Sequence, residues 1–239
     1  MVARATASGD VPRHDPGMGT LHLVRHGQAS FGAADYDQLS ELGGRQCRLL
    51  GEYWRARGQR FDAVLMGSLR RHGQSFAAIA SGLGEAPQPL VWPGLNEYDS
   101  EAVIRAIHPE PLEAPRDAEM VRQHFRLLRQ GLQAWMRGDT RPEGMPSYAD
   151  FAAGVAGALA HVREQCAGEV LIVSSGGPIA TAVAQVLDAP GDTAIELNLR
   201  IRNSAVTEFV FNPKRHTLQS FNTLPHLDAP EMRQLVSYA

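Results

Sequence analysis

The sequence predicts an α/β fold of three layers, a mostly parallel central sheet with helices on both faces. Three observations carry this. Short apolar runs at residues 21–24, 61–66 and 169–174 alternate with longer stretches of helical periodicity. Each run ends in a polar loop that leads into a helical stretch, the order of strand and crossover that builds a parallel sheet. Near the C-terminus, apolar stretches at 205–211 and 217–221 flank Asn212-Pro213, as in a closing hairpin.

Leu21-His22-Leu23-Val24 reads as a buried strand that stops at Arg25-His26-Gly27-Gln28. From Ser40, an N-cap residue, Leu42, Leu49, Leu50, Tyr53 and Trp54 recur at helical spacing until Gly58. A second strand over 61–66 meets Gly67-Ser68-Leu69-Arg70-Arg71, after which Phe76, Ile79, Ala80 and Leu83 resume a helical pattern. Leu90-Val91-Trp92 is a short strand candidate running into Pro93-Gly94 and then Leu95-Asn96-Glu97-Tyr98-Asp99. Val121, Phe125, Leu128, Leu132 and Trp135 form one stripe, bracketed by Pro109, Pro111, Pro115, Pro142 and Pro146, so residues 101–147 read as a helical cap inserted into the fold. Ser147 and Asp150 resemble a capping box before a helix carrying Phe151, Val155, Leu159, Val162 and Cys166. The strand over 169–174 is followed by Ser175-Gly176-Gly177, with Pro178 placed for the first turn of a helix bearing Ile179, Val183 and Val186.

The domain plan is a flexible N-terminal tail over 1–19 and a single domain over 20–239 that contains the insert. Lys and Arg number 23 against 26 Asp and Glu, a net charge of −3, so no general drive toward nucleic acid or an anionic membrane is present and an anion must be met by a local cationic cluster. Cys47 and Cys166 sit far apart in helical patterns and read as reduced thiols. The first residues lack the apolar core of a signal peptide, and no run approaches the roughly 20 apolar residues of a membrane span, so a cytoplasmic location is expected. No glycine-rich nucleotide fingerprint or basic aromatic platform occurs.

Ligands of such sheets bind at the carboxyl edge of the strands, where the loops at 25–28, 67–71 and 174–177 would meet. Arg25 and Arg71 aimed at one point would clamp a dianion through charge-assisted hydrogen bonds, and phosphate fits. Backbone N–H groups of Gly176 and Gly177 at a helix start would add donors. His26 beside Arg25 would stay neutral and offer a ring nitrogen to phosphorus. Glu97 would protonate a leaving alcohol and then deprotonate water. Gln28, Ser30 and Ser175 are further phosphate or substrate hydrogen-bonders. Arg70 competes with Arg71, and Asp99 or Glu101 with Glu97. His72, His108, His124 and His226 read as solvated or structural. Ser175 lacks the glycine that precedes a serine elbow, which argues against a serine nucleophile. This chemistry calls for no metal and no cofactor, only a small phosphorylated substrate or inorganic phosphate.

Leu23-Val24-Arg25-His26-Gly27-Gln28 resembles the signature that opens the histidine phosphatase superfamily, the phosphoglycerate mutase-like group. Gly67-Ser68-Leu69-Arg70-Arg71-His72-Gly73-Gln74-Ser75 resembles its second block, with Gln74 aligning Arg71 on the family's arginine. Leu95-Asn96-Glu97 resembles the block bearing its acid/base glutamate, and Tyr36-Asp37-Gln38-Leu39-Ser40-Glu41-Leu42-Gly43 its first helix entry. The resemblance spans about residues 20 to 225. It implies a phosphoglycerate mutase-like fold and a phosphohistidine on His26, with Arg25 and Arg71 binding the phosphoryl group. It also implies a departure: the family's second pocket histidine is Ser175 here. Loss of one such donor costs about 3–4 kcal/mol of transition-state stabilisation where it acts as an oxyanion-hole group does, unless His72 or another histidine supplies the missing group. The expectation is a phosphomonoesterase of reduced activity, with a phosphate-ligand binding or sensing protein and a mutase-type phosphotransferase as the alternatives.

Overall fold

Alternation along the strands decides which helix covers which face. The computed structural model describes residues 18–30, 37–113 and 116–238. Its strands are β1 (Gly19–Arg25), β2 (Ala63–Met66), β3 (Leu90–Val91), β4 (Gly168–Ser174), β5 (Val206–Asn212) and β6 (Arg215–Thr223), in the spatial order β3-β2-β4-β1-β5-β6. The pairs β1/β4, β2/β4 and β2/β3 are parallel, and β1/β5 and β5/β6 antiparallel. The sheet is therefore mixed and mostly parallel, as the pattern of apolar runs requires.

Leu21 and Leu23 of β1, Leu65 of β2 and Val170 and Ile172 of β4 point to one face. There they meet helix α5 (Tyr148–Gln165), through Val155, Ala158, Leu159 and Val162, and helix α6 (Gly176–Val186), through Ile179 and Val183. Val24, Val64, Leu171 and Val173 point to the other face, onto Cys47, Leu50 and Trp54 of α1 (Glu41–Ala56) and Ile79 and Leu83 of α2 (Arg70–Leu83). The period of two in the strands and of 3.6 in the helices thus yields three layers. Helices α1 and α2 approach at glycines: a Cβ on Gly51 would lie 2.1 Å from the Ile79 carbonyl oxygen, and one on Gly82 2.1 Å from that of Arg48.

A third cluster lies beyond α5. Val103 and Ile104 of α3 (Ser100–Arg105) join Leu128, Leu132 and Trp135 of α4 (Ala118–Arg137), Phe151 of α5 and Ile195 of α7 (Gly191–Asn198). Only the C-terminal half of the expected α4 stripe is buried. Val121 and Phe125 are exposed, and the buried stripe of α4 begins at Leu128.

Other differences from the sequence pattern are local. The tail expected over 1–19 lies outside the described residues as far as residue 17, as do Tyr36 and Pro115, and β1 already begins at Gly19. Arg25 closes β1 rather than opening the loop, and α2 starts at Arg70, so Arg71 stands in its first turn. Helix α7 was not visible as a separate element. Ser147 is the N-cap of α5, its hydroxyl accepting from the Asp150 N–H at 3.1 Å, but the Asp150 carboxylate takes that hydroxyl at 2.7 Å and not the Ser147 backbone N–H that would complete a capping box. Asn212 Oδ1 accepts from the N–H groups of Lys214 and Arg215 and so closes the hairpin. No helix among the described residues is long and apolar enough to cross a membrane.

Candidate functional site

Register brings the loops together. Arg25 lies opposite Ser174, and Met66 opposite Val173, so β1, β4 and β2 end level with one another and their loops open on one edge. The chain beyond β1 is fixed from three sides. His26 N–H donates to the Ser174 carbonyl at 2.8 Å, the His26 carbonyl accepts from Ser204, and Gly27 N–H donates to Ser75 Oγ at 3.1 Å. Gly27 also lies against α1, where a Cβ would meet the Gly43 carbonyl oxygen at 2.3 Å. The segment carrying Glu97 is held as firmly. Ser174 Oγ donates to the Leu95 carbonyl at 2.7 Å, and the Asn96 amide bonds both the N–H and the hydroxyl of Ser68, each at 2.7 Å.

His26 is buried, and its Nδ1 lies 2.7 Å from the Gly27 carbonyl oxygen. A carbonyl only accepts, so Nδ1 carries the proton and Nε2 presents a lone pair. Burial, reinforced by the charges of Arg25 and Arg71 and by His72, holds the ring well below its ordinary pKa, and it is neutral at physiological pH. Both guanidinium groups are buried as well. Arg25 Nη1 donates to the Ile201 carbonyl, and Arg71 Nη1 donates to Asp37 Oδ1 at 2.9 Å. The same Asp37 carboxylate accepts from the backbone N–H of Arg70 at 2.8 Å, so a residue 33 positions upstream caps α2 and aims Arg71. Arg70 itself is exposed.

Glu97 is partly buried, and desolvation raises its carboxyl pKa against the opposing pull of Gly177 N–H and of Arg71 and Arg25. The competitors for its role are occupied elsewhere. Asp99 is the N-cap of α3, accepting from Glu101 and Ala102, and Glu101 is an exposed partner of Arg105.

The loop after β4 differs from expectation. Gly177 N–H points at Glu97, 3.1 and 3.2 Å from its two oxygens, and does not join an anion nest. Ser175 is the N-cap of α6, yet its side chain makes no capping hydrogen bond. Its hydroxyl lies 2.7 Å from His72 Nε2, both residues being fully buried. Gly176 abuts Asn198, whose amide donates to the Tyr98 hydroxyl at 2.7 Å. Gln28 Oε1 accepts from the Ser40 hydroxyl at 2.9 Å, and Ser30 N–H donates to the Gln38 carbonyl at 2.8 Å, so both lie in the joint between the first loop and α1. His226 is buried on Ser204, while His72 lies 5.9 Å from His26, ring centre to ring centre. His72, read from the sequence as solvated or structural and named beside the resemblance as a stand-in for the missing histidine, thus lies within the cluster. Its link to Ser175 spans 103 positions and no local pattern announces it.

A protein-family model for the histidine phosphatase superfamily (branch 1) matches residues 21–224. The chain belongs to that superfamily. Curated protein sequences offer no match. Solved structures share the fold. The alpha-ribazole phosphatase from Shigella flexneri is 21% identical at a TM-score of 0.62, over 86% of this chain and 96% of that one. Phosphoserine phosphatase from Entamoeba histolytica, in complex with 3-phosphoglyceric acid, is 18% identical at 0.60, over 88% and 100%. Phosphoglycerate mutase from Bacillus anthracis str. Sterne is 17% identical at 0.61, over 89% and 96%. Identities this low establish the architecture alone.

Proposed function

We propose that the chain is a metal-independent phosphomonoesterase that hydrolyses a small phosphate monoester through a phosphohistidine on His26. The observation that carries this reading is the Nδ1–Gly27 hydrogen bond, which leaves Nε2 unprotonated in a pocket where two buried guanidinium groups bear on it. Arg25 and Arg71 would hold the equatorial phosphoryl oxygens, and Nε2 would attack phosphorus as the bond to the ester oxygen breaks. The protonated carboxyl of Glu97, its pKa raised by burial, would pass its proton to the departing alkoxide. The resulting carboxylate would then take a proton from water as that water attacks phosphorus and the P–N bond breaks, which returns neutral His26 and releases phosphate.

Ser175 stands in this reading where the family resemblance implies a second histidine, and Gly176 beside it completes the phosphoryl contacts. The insert over 101–147 would shape the entrance for the alcohol portion. In support, the apolar cluster of Tyr98, Trp135, Tyr148 and Phe151 packs up to Gly177, next to Glu97. The mutase and the two phosphatases among the structural neighbours share one fold, so product analysis separates hydrolysis from transfer to a second hydroxyl. A binding or sensing role draws on one specific feature, the absence of a chargeable group at Ser175 itself.

Phosphate release from p-nitrophenyl phosphate and a panel of sugar and hydroxy-acid phosphates tests the proposal. The parent is expected to turn over and to trap an acid-labile phosphoenzyme on rapid quench, and His26→Ala to do neither. Equal rates for the two proteins overturn the assignment.

A further inference from the structure

His72 enters the pocket from the first turn of α2, one residue after Arg71. Its ring is wholly buried, with Nδ1 packed against the Gly67 backbone, where a Cβ would come within 2.2 Å of it. Nε2 meets Ser175 Oγ at 2.7 Å, and the ring faces that of His26 at 5.9 Å. Ser175 makes the arrangement unusual. A serine at a helix N-cap ordinarily accepts from the N–H groups of the first turn. Here the hydroxyl turns away from those groups and toward the imidazole. A buried hydroxyl diverted from its local partner to a distant ring, at the same strand edge as His26, points to a use other than helix stability.

Two hydrogen-bond directions are available to the pair. If Ser175 donates to Nε2, its proton is occupied. If Nε2–H donates to Oγ, the serine proton is left for an acceptor in the pocket, and a bound oxyanion favours that arrangement by its affinity for it. We propose that His72 is a positioning residue for Ser175: through the Nε2–Oγ hydrogen bond it orients the serine hydroxyl as a donor to the phosphoryl group carried between His26, Arg25 and Arg71. The inference rests on the phosphohistidine reading above for its kinetic consequence, but the pairing itself applies to any oxyanion in the pocket. A hydroxyl held by an imidazole from α2 then performs from two elements the work that the resemblance assigns to one side chain after β4.

A double-mutant cycle tests it, because residues that act through one another lose additivity. With p-nitrophenyl phosphate, His72→Ala and Ser175→Ala are each expected to lower kcat about 100-fold and to raise KM only several-fold, because a donor aimed at the phosphoryl group counts most in the transition state. The double variant should lose about the same factor and not its square. His72→Gln, which returns an amide nitrogen to the neighbourhood of Nε2, should recover a large part of the rate. It also carries the measurement if the alanine variant fails to fold. In the same four proteins, sulfate binding by calorimetry should weaken several-fold in each single variant and no further in the double. Losses that multiply, or a folded His72→Ala or His72→Gln protein whose kcat does not respond as stated, overturn the proposal. Catalysis indifferent to His26→Ala, with the sulfate cycle still non-additive, would instead refute the phosphohistidine reading and leave the pair standing.

Discussion

Both carboxylate oxygens of Glu97 accept from the single backbone N–H of Gly177, at 3.2 and 3.1 Å. The N-terminal turn of α6 therefore orients the proposed proton-transfer group. The contact leaves no room for a side chain: a Cβ on Gly177 would sit 2.1 Å from Glu97 Oε1 and 2.7 Å from the Tyr98 ring. Gly177→Ala is accordingly expected to push the carboxyl out of line and to lower kcat for phosphate monoesters about 100-fold, the scale of a displacement near 1 Å at a reacting group. Gly176→Ala separates displacement of Glu97 from loss of phosphoryl contacts. Its Cβ meets Asn198 Oδ1 at 2.3 Å and not Glu97, so it should disturb stability more than the pH dependence of turnover.

That contact also marks where sequence patterns stop being informative. The strand ends were legible because each apolar run stops at a polar cluster, and parallel strands put those clusters on one edge. Arg25, His26, Arg71 and Glu97 could be nominated from the order of the blocks, but the loop pattern leaves Arg70 in competition with Arg71; the resemblance prefers Arg71, which is the buried one of the two. What the pattern could not carry is contact between distant segments. Asp37 caps α2 from before α1, Gly177 meets Glu97 across 80 positions, and Ser175 meets His72 across 103. Each is settled by how the loops close over the sheet edge. Helix α7 escaped notice because its eight residues are too few for a periodic signal.

Glu97 makes the pH dependence specific. Burial raises its pKa, so the acid form persists above the ordinary carboxyl range, whereas His26, held well below its ordinary value, is already unprotonated there. The acidic side of the profile should therefore stay high, and kcat/KM should fall as pH rises through the Glu97 pKa. Glu97→Gln is expected to remove that descending limb and to reduce the rate by a factor of about 10² to 10⁴. The loss should be greater for phenyl phosphate than for p-nitrophenyl phosphate, whose better leaving group needs less help from an acid. A descending limb that survives in Glu97→Gln assigns the proton to another group.

A second buried histidine gives a prediction about stability. His22 lies within β1, with Nε2 2.7 Å from Glu169 and Nδ1 3.3 Å from Glu208, and the edges of Trp54 and Phe61 pack on its ring. Burial opposes its charge, but hydrogen bonds and attraction from the two carboxylates outweigh that and raise its pKa. The Glu169 carboxyl is lowered by His22 despite its own desolvation, and Glu208 is lowered chiefly by the hydrogen bond to His22. A raised histidine stabilises the fold fully below its unfolded pKa, near 6.5, and loses that contribution as pH rises through the folded value. The lowered carboxylates contribute above about pH 4.3 and lose their part as pH falls through their folded values. The cluster is thus strongest between about pH 5 and 6.5. Because the side chains of Glu169 and Glu208 remain 29% and 37% exposed, the charge contribution is screened to about 1 kcal/mol. His22→Gln should therefore lower Tm more at pH 6 than at pH 9, the difference between the two pH values being about 2–4 °C for a chain of this size. A depression of Tm that is the same at both values would mean that the ring is neutral in the fold and donates its single N–H to only one of the two carboxylates.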